Sequence, residues 1–277
     1  MSEEAGDLFE LELYGEGVER RYRKMRPEVM EMPWGTLDLE GIPPAELVLA
    51  RKAWTGAAFQ EHRTGVACAA TLRALMEARA PLDLIALATR FPLDEMVHVE
   101  LCARMAMELG GGTEIVHDPD AMVADADPAL RPLLRAGELV VRFFCVGETL
   151  SIPLLRGTWH AARHPLPRAI LGRIVKDEAA HGTFGFAFLD WALTHYSEAD
   201  RAHLAAQANL AIGAVREQWE HIRKRPKRIA REGDALAWME SGAYLELAHR
   251  SMRDKVIAPL RARGVLVTEL DAPVVAL

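Results

Sequence analysis

The sequence predicts an all-α protein whose core is a four-helix bundle, and three observations carry that expectation. Asp-Glu-x-x-His occurs twice, as Asp94-Glu95-Met96-Val97-His98 and Asp177-Glu178-Ala179-Ala180-His181. Each copy follows a lone glutamate at a near-equal distance, 34 residues from Glu61 to Glu95 and 30 from Glu148 to Glu178. The stretches that carry these residues read as long helices separated by Gly and Pro punctuation.

Taken in order, residues 1–44 read as an irregular N-terminal arm, with one alternating stretch, 8–13, of the kind that forms a short strand. A first helix is expected from Ala45 to Ala78, carrying Glu61, and a second from Leu82 to Leu109, kinked at Pro92 and ended by three glycines. The Asp- and Pro-rich segment 113–128 is the crossover. A third helix, 129–164, carries Glu148, and a fourth, 167–195, carries the second motif. A fifth helix at 198–222, a basic run at 223–228 that reads as a solvated linker, a sixth helix at 235–262 and a tail from residue 263 complete the chain. The core is thus 45–195, the additional helices are 196–262, and the whole of 1–277 is expected to be a single domain. Its halves, 45–109 and 129–195, repeat one plan.

On a helix, residues three apart share a face, so Glu95 and His98 point one way, as do Glu178 and His181. With an inward glutamate from each preceding helix, Glu61 and Glu148, the set is four carboxylates and two imidazoles, the ligand recipe for two metal ions inside a four-helix bundle. Two divalent ions balance four glutamates, whereas four carboxylates alone in an apolar core are costly to bury. The bare tetrapeptide is weak evidence, because chance gives about one Glu-x-x-His in a chain of this composition. Four occur, but Glu114/His117 and Glu246/His249 lack the preceding Asp that both motifs carry. Asp94 and Asp177 are placed to accept the remaining N–H of a metal-bound imidazole, each for its own half or for the other.

Composition bounds the function. A chain of 277 residues with 50% hydrophobic residues can bury a large core, and its net charge of −7 argues against general nucleic-acid binding. Cys68, Cys102 and Cys145 lack disulfide or metal spacing. No apolar leader is apparent at the N-terminus, and the most apolar stretch, 139–155, is interrupted by Arg142, Glu148 and Pro153, so the expectation is a cytoplasmic protein without a membrane span.

The ligand constellation resembles the ferritin-like superfamily of di-iron carboxylate proteins, which includes multicomponent monooxygenases, rubrerythrins, manganese catalases and arylamine N-oxygenases. The resemblance covers residues 45–195. It implies a ferritin-like bundle with Glu61, Glu95, His98, Glu148, Glu178 and His181 as metal ligands and catalytic centre, and with two iron ions, or manganese or a mixed pair, as cofactor. It also departs from one member: arylamine N-oxygenases carry an additional histidine one turn before the second motif, where this chain has Ile174. The expected activity is that of a di-iron oxygenase or oxidase, taking dioxygen, a small organic substrate and an external electron donor, with a homodimer allowed. The alternative is peroxide or iron handling, as in manganese catalase or a ferroxidase.

Small residues near the ligands, among them Gly65, Gly182 and Gly185, admit two readings, a cavity for substrate or close helix packing. Pro153, one turn after Glu148, removes a helical hydrogen bond and predicts a distortion there.

Overall fold

The computed structural model describes residues 8–224, 236 and 239–268, and within these the chain is helical with no strand. The alternating stretch at 8–13 makes no strand; its contribution is one isolated antiparallel bridge between Leu8 and Val116, with the Phe9 N–H donating to the Ile115 carbonyl at 2.8 Å. The arm is also more ordered than its glycines suggest. It forms helix α1 (Glu16–Met25) and a short 3₁₀ turn, Pro27–Glu31. α1 fully buries none of its side chains; Tyr22 packs against the apolar core and Arg23 pairs with Glu100.

Four rods build the core. α2 (Pro44–Glu77) opens with proline at its first position, where a missing N–H costs no hydrogen bond. The expected second helix is two, α3 (Leu82–Ala88) and α4 (Phe91–Glu108), because Pro92 in the first turn of α4 has no N–H to offer the Ala88 carbonyl. Gly110 and Gly111 close α4 at φ of 100° and 116°, a region that glycine occupies without steric cost. The third rod starts at Pro132 and ends at Ala161, shorter at both ends than the composition implies. It comprises α5 (Pro132–Leu139), a nine-residue π-helical segment (Val140–Glu148) and α6 (Thr149–Ala161). α7 (Pro165–Ala192) begins two residues before the expected Pro167, with the His164 ring nitrogen accepting from the Leu166 N–H.

α8 (Glu198–Arg223) is started by a reciprocal Ser197–Asp200 cap. α9 (Ser241–Ser251), a second π segment (Met252–Ile257) and α10 (Ala258–Ala262) follow. The start of the expected sixth helix, most of the basic run (225–228) and the end of the tail (269–277) lie outside the described residues.

α2 lies along α4, and the π segment and α6 lie along α7; α2 also meets α5, and α4 meets α7, which closes the four rods around one interior. α8 and α9 cover the third rod from outside. The apolar core falls into two clusters, one around Phe91, Phe144 and Phe184, the other around Trp54, Leu101 and Ile174. The polar motif residues lie between them: in α4 between Phe91 and Leu101, in α7 between Ile174 and Phe184. No described helix is long and apolar enough to cross a membrane.

Candidate metal centre

The structure brings the six expected ligands together as two overlapping groups. One ligand atom each from Glu61, Glu95, His98 and Glu178 lie within 4.8 Å of one another, and so do atoms from Glu95, Glu148, Glu178 and His181. Glu95 and Glu178 belong to both groups, so they are placed between the two positions, while Glu61 with His98 and Glu148 with His181 occupy the ends.

Both imidazoles present the same nitrogen. His98 Nδ1 is 3.2 Å from Glu178 Oε1, 3.6 Å from Glu95 Oε2 and 3.8 Å from Glu61 Oε2. His181 Nδ1 is 3.1 Å from both Glu95 Oε1 and Glu178 Oε2, and 3.8 Å from Glu148 Oε2. Within this enclosure Glu95 Oε1 and Oε2, Glu178 Oε2 and both Nδ1 atoms are buried without a hydrogen-bond partner. So many orphaned acceptors in one place are costly for a folded protein unless something positive satisfies them. An oxygen- and nitrogen-rich donor set of this kind can hold a metal ion.

The electrostatics point the same way. Burial raises the Glu61 carboxyl to about 8, helped by Glu95 and Glu178. Burial also raises Glu148, with Glu178 adding to the effect. Glu178 moves the other way: burial opposes its charge, but the imidazoles of His181 and His98 close beside it hold it well below the usual carboxylate range. Burial likewise opposes charge on His98 and His181, and the surrounding carboxylates overcome it and raise both. The protein groups alone thus retain protons inside the cluster, and divalent cations would displace them.

Behind the imidazoles stands a layer of ion pairs. His181 Nε2 lies 3.4 Å from Asp94 Oδ2, and His98 Nε2 lies 3.5 Å from Asp177 Oδ2, so each aspartate serves the histidine of the other half. Three arginines hold the aspartates. Arg90 reaches Asp94 and Asp177, both at 2.8 Å. Arg173 donates from Nε to Asp177 at 2.8 Å and from a second nitrogen to its other oxygen. Arg26, from the junction of α1 and the 3₁₀ turn, donates to Asp94 at 2.6 Å and to Asp177 at 3.2 Å. Burial opposes ionisation of Asp94, but His181, Arg26 and Arg90 outweigh it and keep its pKa low; His98 and Arg173 do the same for Asp177.

These arginines are the functional residues that motif reading misses. Arg90 and Arg173 each stand four residues before the motif aspartate, so the repeat is in fact Arg-x-x-x-Asp-Glu-x-x-His, a signal present in the sequence. Arg26 has no local signal at all.

Pro153 lies inside the α-helical α6, and the distortion near Glu148 is instead the π segment that precedes it. Its wider turn accommodates one residue more than an α-helix, which turns the facing of the residues after it by about 100°. Glu148 is its last residue. Thr149 Oγ1 fixes the segment by donating to the Phe144 carbonyl at 2.9 Å and towards Gly182 O of α7 at 3.2 Å. Phe91 packs on the His181 ring with centroids 4.4 Å apart, and Phe144 and Phe184 complete an aromatic wall that keeps this end dry.

The glycines resolve in favour of packing. A Cβ on Gly182 would clash with Ile152, one on Gly185 would lie 2.8 Å from the Cys145 backbone nitrogen, and one on Gly65 would lie 2.7 Å from Met96 Cε. The cavity reading of these three positions is therefore corrected: their missing side chains let helices touch. Ile174 is buried on α7 among apolar neighbours. The two other Glu-x-x-His matches belong to no such group: Glu246 and His249 are exposed, with His249 edge-on to Trp219, and Glu114 lies on the exposed crossover. His62, beside Glu61, packs against Phe9 instead of joining the ligands.

No protein-family model matches this chain, and no curated protein does. The case for its function therefore rests on the site.

Proposed function

We propose that this protein is a ferritin-like di-iron oxidase or oxygenase, which activates dioxygen at the Glu61–Glu95–His98–Glu148–Glu178–His181 centre to oxidise a small organic substrate. The observation that supports it best is the sharing of Glu95 and Glu178 between two groups of four ligand atoms, an arrangement that would suit two cations side by side. A ferrous pair bound there would supply the electrons that dioxygen takes up, with an external donor restoring them.

The chain's own residues set the conditions for that chemistry. Asp94 holds Nε2 of His181, and Asp177 faces Nε2 of His98 at 3.5 Å, which leaves Nδ1 of each ring free to ligate. Phe91, Phe144 and Phe184 exclude water behind His181. Glu61 is the least buried ligand, its side chain 16% exposed against 0–8% for the others, so small molecules and exchangeable protons would reach the centre from its side.

The test is anaerobic Fe(II) loading followed by one exposure to dioxygen. This reading expects uptake set by two irons per chain that stops until a reductant is added. Continued Fe(II) oxidation past two equivalents would show a ferroxidase, and dioxygen release from peroxide by the manganese-loaded protein would show a catalase.

A further inference from the structure

We propose that Arg26 is a positioning residue for both metal-binding histidines, and that docking of the N-terminal arm is thereby coupled to metal binding; the inference rests on the di-metal reading of the centre. Arg26 is the one arginine among the described residues that is buried, and it comes from outside the bundle. One terminal nitrogen takes Asp94 and the other takes Asp177, so a single planar guanidinium joins the two halves of the internal repeat across their centre. Its Nε is held by Glu28 at 3.2 Å, and Glu28 is also approached by Arg173 at 3.6 Å. The layer therefore contains three carboxylates, Glu28, Asp94 and Asp177, and three guanidiniums, Arg26, Arg90 and Arg173, and is neutral as a unit.

Neutrality matters because each member is costly to bury alone. Arg90 is about half exposed, with its side chain 52% accessible, so water screens its hold on the aspartates. Asp177 keeps Arg173 if Arg26 is lost, whereas Asp94 keeps Arg90 alone. Arg26 thus matters more to Asp94 than to Asp177, and through Asp94 to His181, the ligand of the Glu148 position. Apart from Glu28, which belongs to the layer, the arm has anchors that do not touch it. Val29 is a fully buried apolar plug, and Arg23 pairs with Glu100 at 2.7 Å. By linkage, if the arm's arginine orders the histidines for metal, bound metal must hold the arm down by the same factor.

Chelator-treated full-length protein titrated with Co(II) against a competing chromophoric chelator tests this. Wild type is expected to take two ions. Arg26→Ala should weaken binding by about 10- to 100-fold, the range expected when the support behind a metal ligand is removed. The weaker step should be the second, with a changed visible cobalt spectrum, and Arg26→Lys should recover part of the loss. Arg23→Ala loosens the arm but leaves Arg26 with both aspartates, so it should weaken the titration much less than Arg26→Ala. In wild type, proteolysis in the arm should slow when cobalt is bound. If Arg26→Ala does not fold, Arg26→Lys decides, because an ammonium cannot span both carboxylates and should still weaken the second step. Equal titrations of wild type and the Arg26 variants, or an equal loss in Arg23→Ala, would overturn the inference while leaving the metal centre standing. Failure of wild type to bind cobalt would overturn the metal reading itself.

Discussion

Asp94, in the first motif, lies 3.4 Å from Nε2 of His181, in the second, and this crossed pairing makes the two halves of the centre interdependent. Asp177 reaches back to His98 in the same sense at 3.5 Å. A helix carrying one motif therefore would not complete its own metal position; it would supply two ligands, while its aspartate faces the imidazole opposite.

The crossing predicts where damage appears. Asp94→Ala should impair the Glu148/His181 position more than the Glu61/His98 position that carries its own motif, lowering metal affinity there by about 10- to 100-fold. Asp94→Asn, which keeps an acceptor oxygen, should lose less. A two-step metal titration checks this; a loss confined to the Glu61/His98 position would refute the crossed assignment.

Ligand substitutions should fall into two kinds. Glu95→Ala or Glu178→Ala removes a residue shared by both groups and should abolish tight binding of both ions, whereas Glu61→Ala removes an end ligand and should weaken one. Glu246→Ala, on the exposed face of α9, should change neither binding nor dioxygen uptake. Metal content by elemental analysis distinguishes these outcomes, and identical losses in Glu61→Ala and Glu95→Ala would contradict the shared placement.

The titrating groups give the metal-free protein a definite pH dependence. Glu61, ordinarily near 4.5, sits at about 8 in the fold, and Glu148 shifts upward too. A carboxyl raised on folding binds its proton more tightly in the native state, so its contribution is fully present below about 4.5 and is lost as pH rises towards 8. His98 and His181, also raised, lose their contribution in the same direction above their ordinary 6.5. The lowered Asp177 and Glu178 act at the acid end, where stability falls with falling pH. The Tm of chelated protein should therefore drop between about pH 5.5 and 8, and the Tm gain on adding metal should grow over that range, since ligands must shed protons to bind. Thermal melts with and without metal across the range check both slopes; a flat or rising Tm in the chelated protein would be inconsistent with burial of these groups.

Gly182 should be a packing position. Gly182→Ala drives a methyl into Ile152 and is expected to cost about 1–3 kcal/mol. Ile152→Ala alone should also destabilise, by leaving a void, but the double variant should recover part of the sum. Urea unfolding of the four proteins measures the coupling; strict additivity would mean that the two residues do not meet.

Much of this centre is legible in the sequence because its grammar is local. Glu95 and His98, or Glu178 and His181, share a face through a spacing of three, and the matching distances from Glu61 and Glu148 reflect rods of similar length. Arg90 and Arg173 are equally local, one turn before each aspartate, and only the structure shows that they belong to the repeat. Arg26 has no such signal. It lies 68 residues from Asp94 and 151 from Asp177, and nothing in its neighbourhood distinguishes it from the other arginines of α1. α1 itself is hard to read because it fully buries no residue and is held in part by Arg23 and Glu100 across 77 residues. The π segment has no local signature either. Pro153 signals a disturbance, but the widened turn lies before Glu148, where Thr149 and the Gly182 carbonyl fix it from the neighbouring helix. The glycines are ambiguous for a related reason: whether a missing Cβ leaves space or invites contact depends on the residue opposite, which here is Ile152, Cys145 or Met96.

The most direct measurement of the central claim is metal stoichiometry at equilibrium, by anaerobic Fe(II) titration of chelated protein with elemental analysis after gel filtration. Wild type is expected to retain two ions per chain and Glu95→Ala fewer than one. Retention near zero in wild type, or two ions retained in Glu95→Ala, would contradict it.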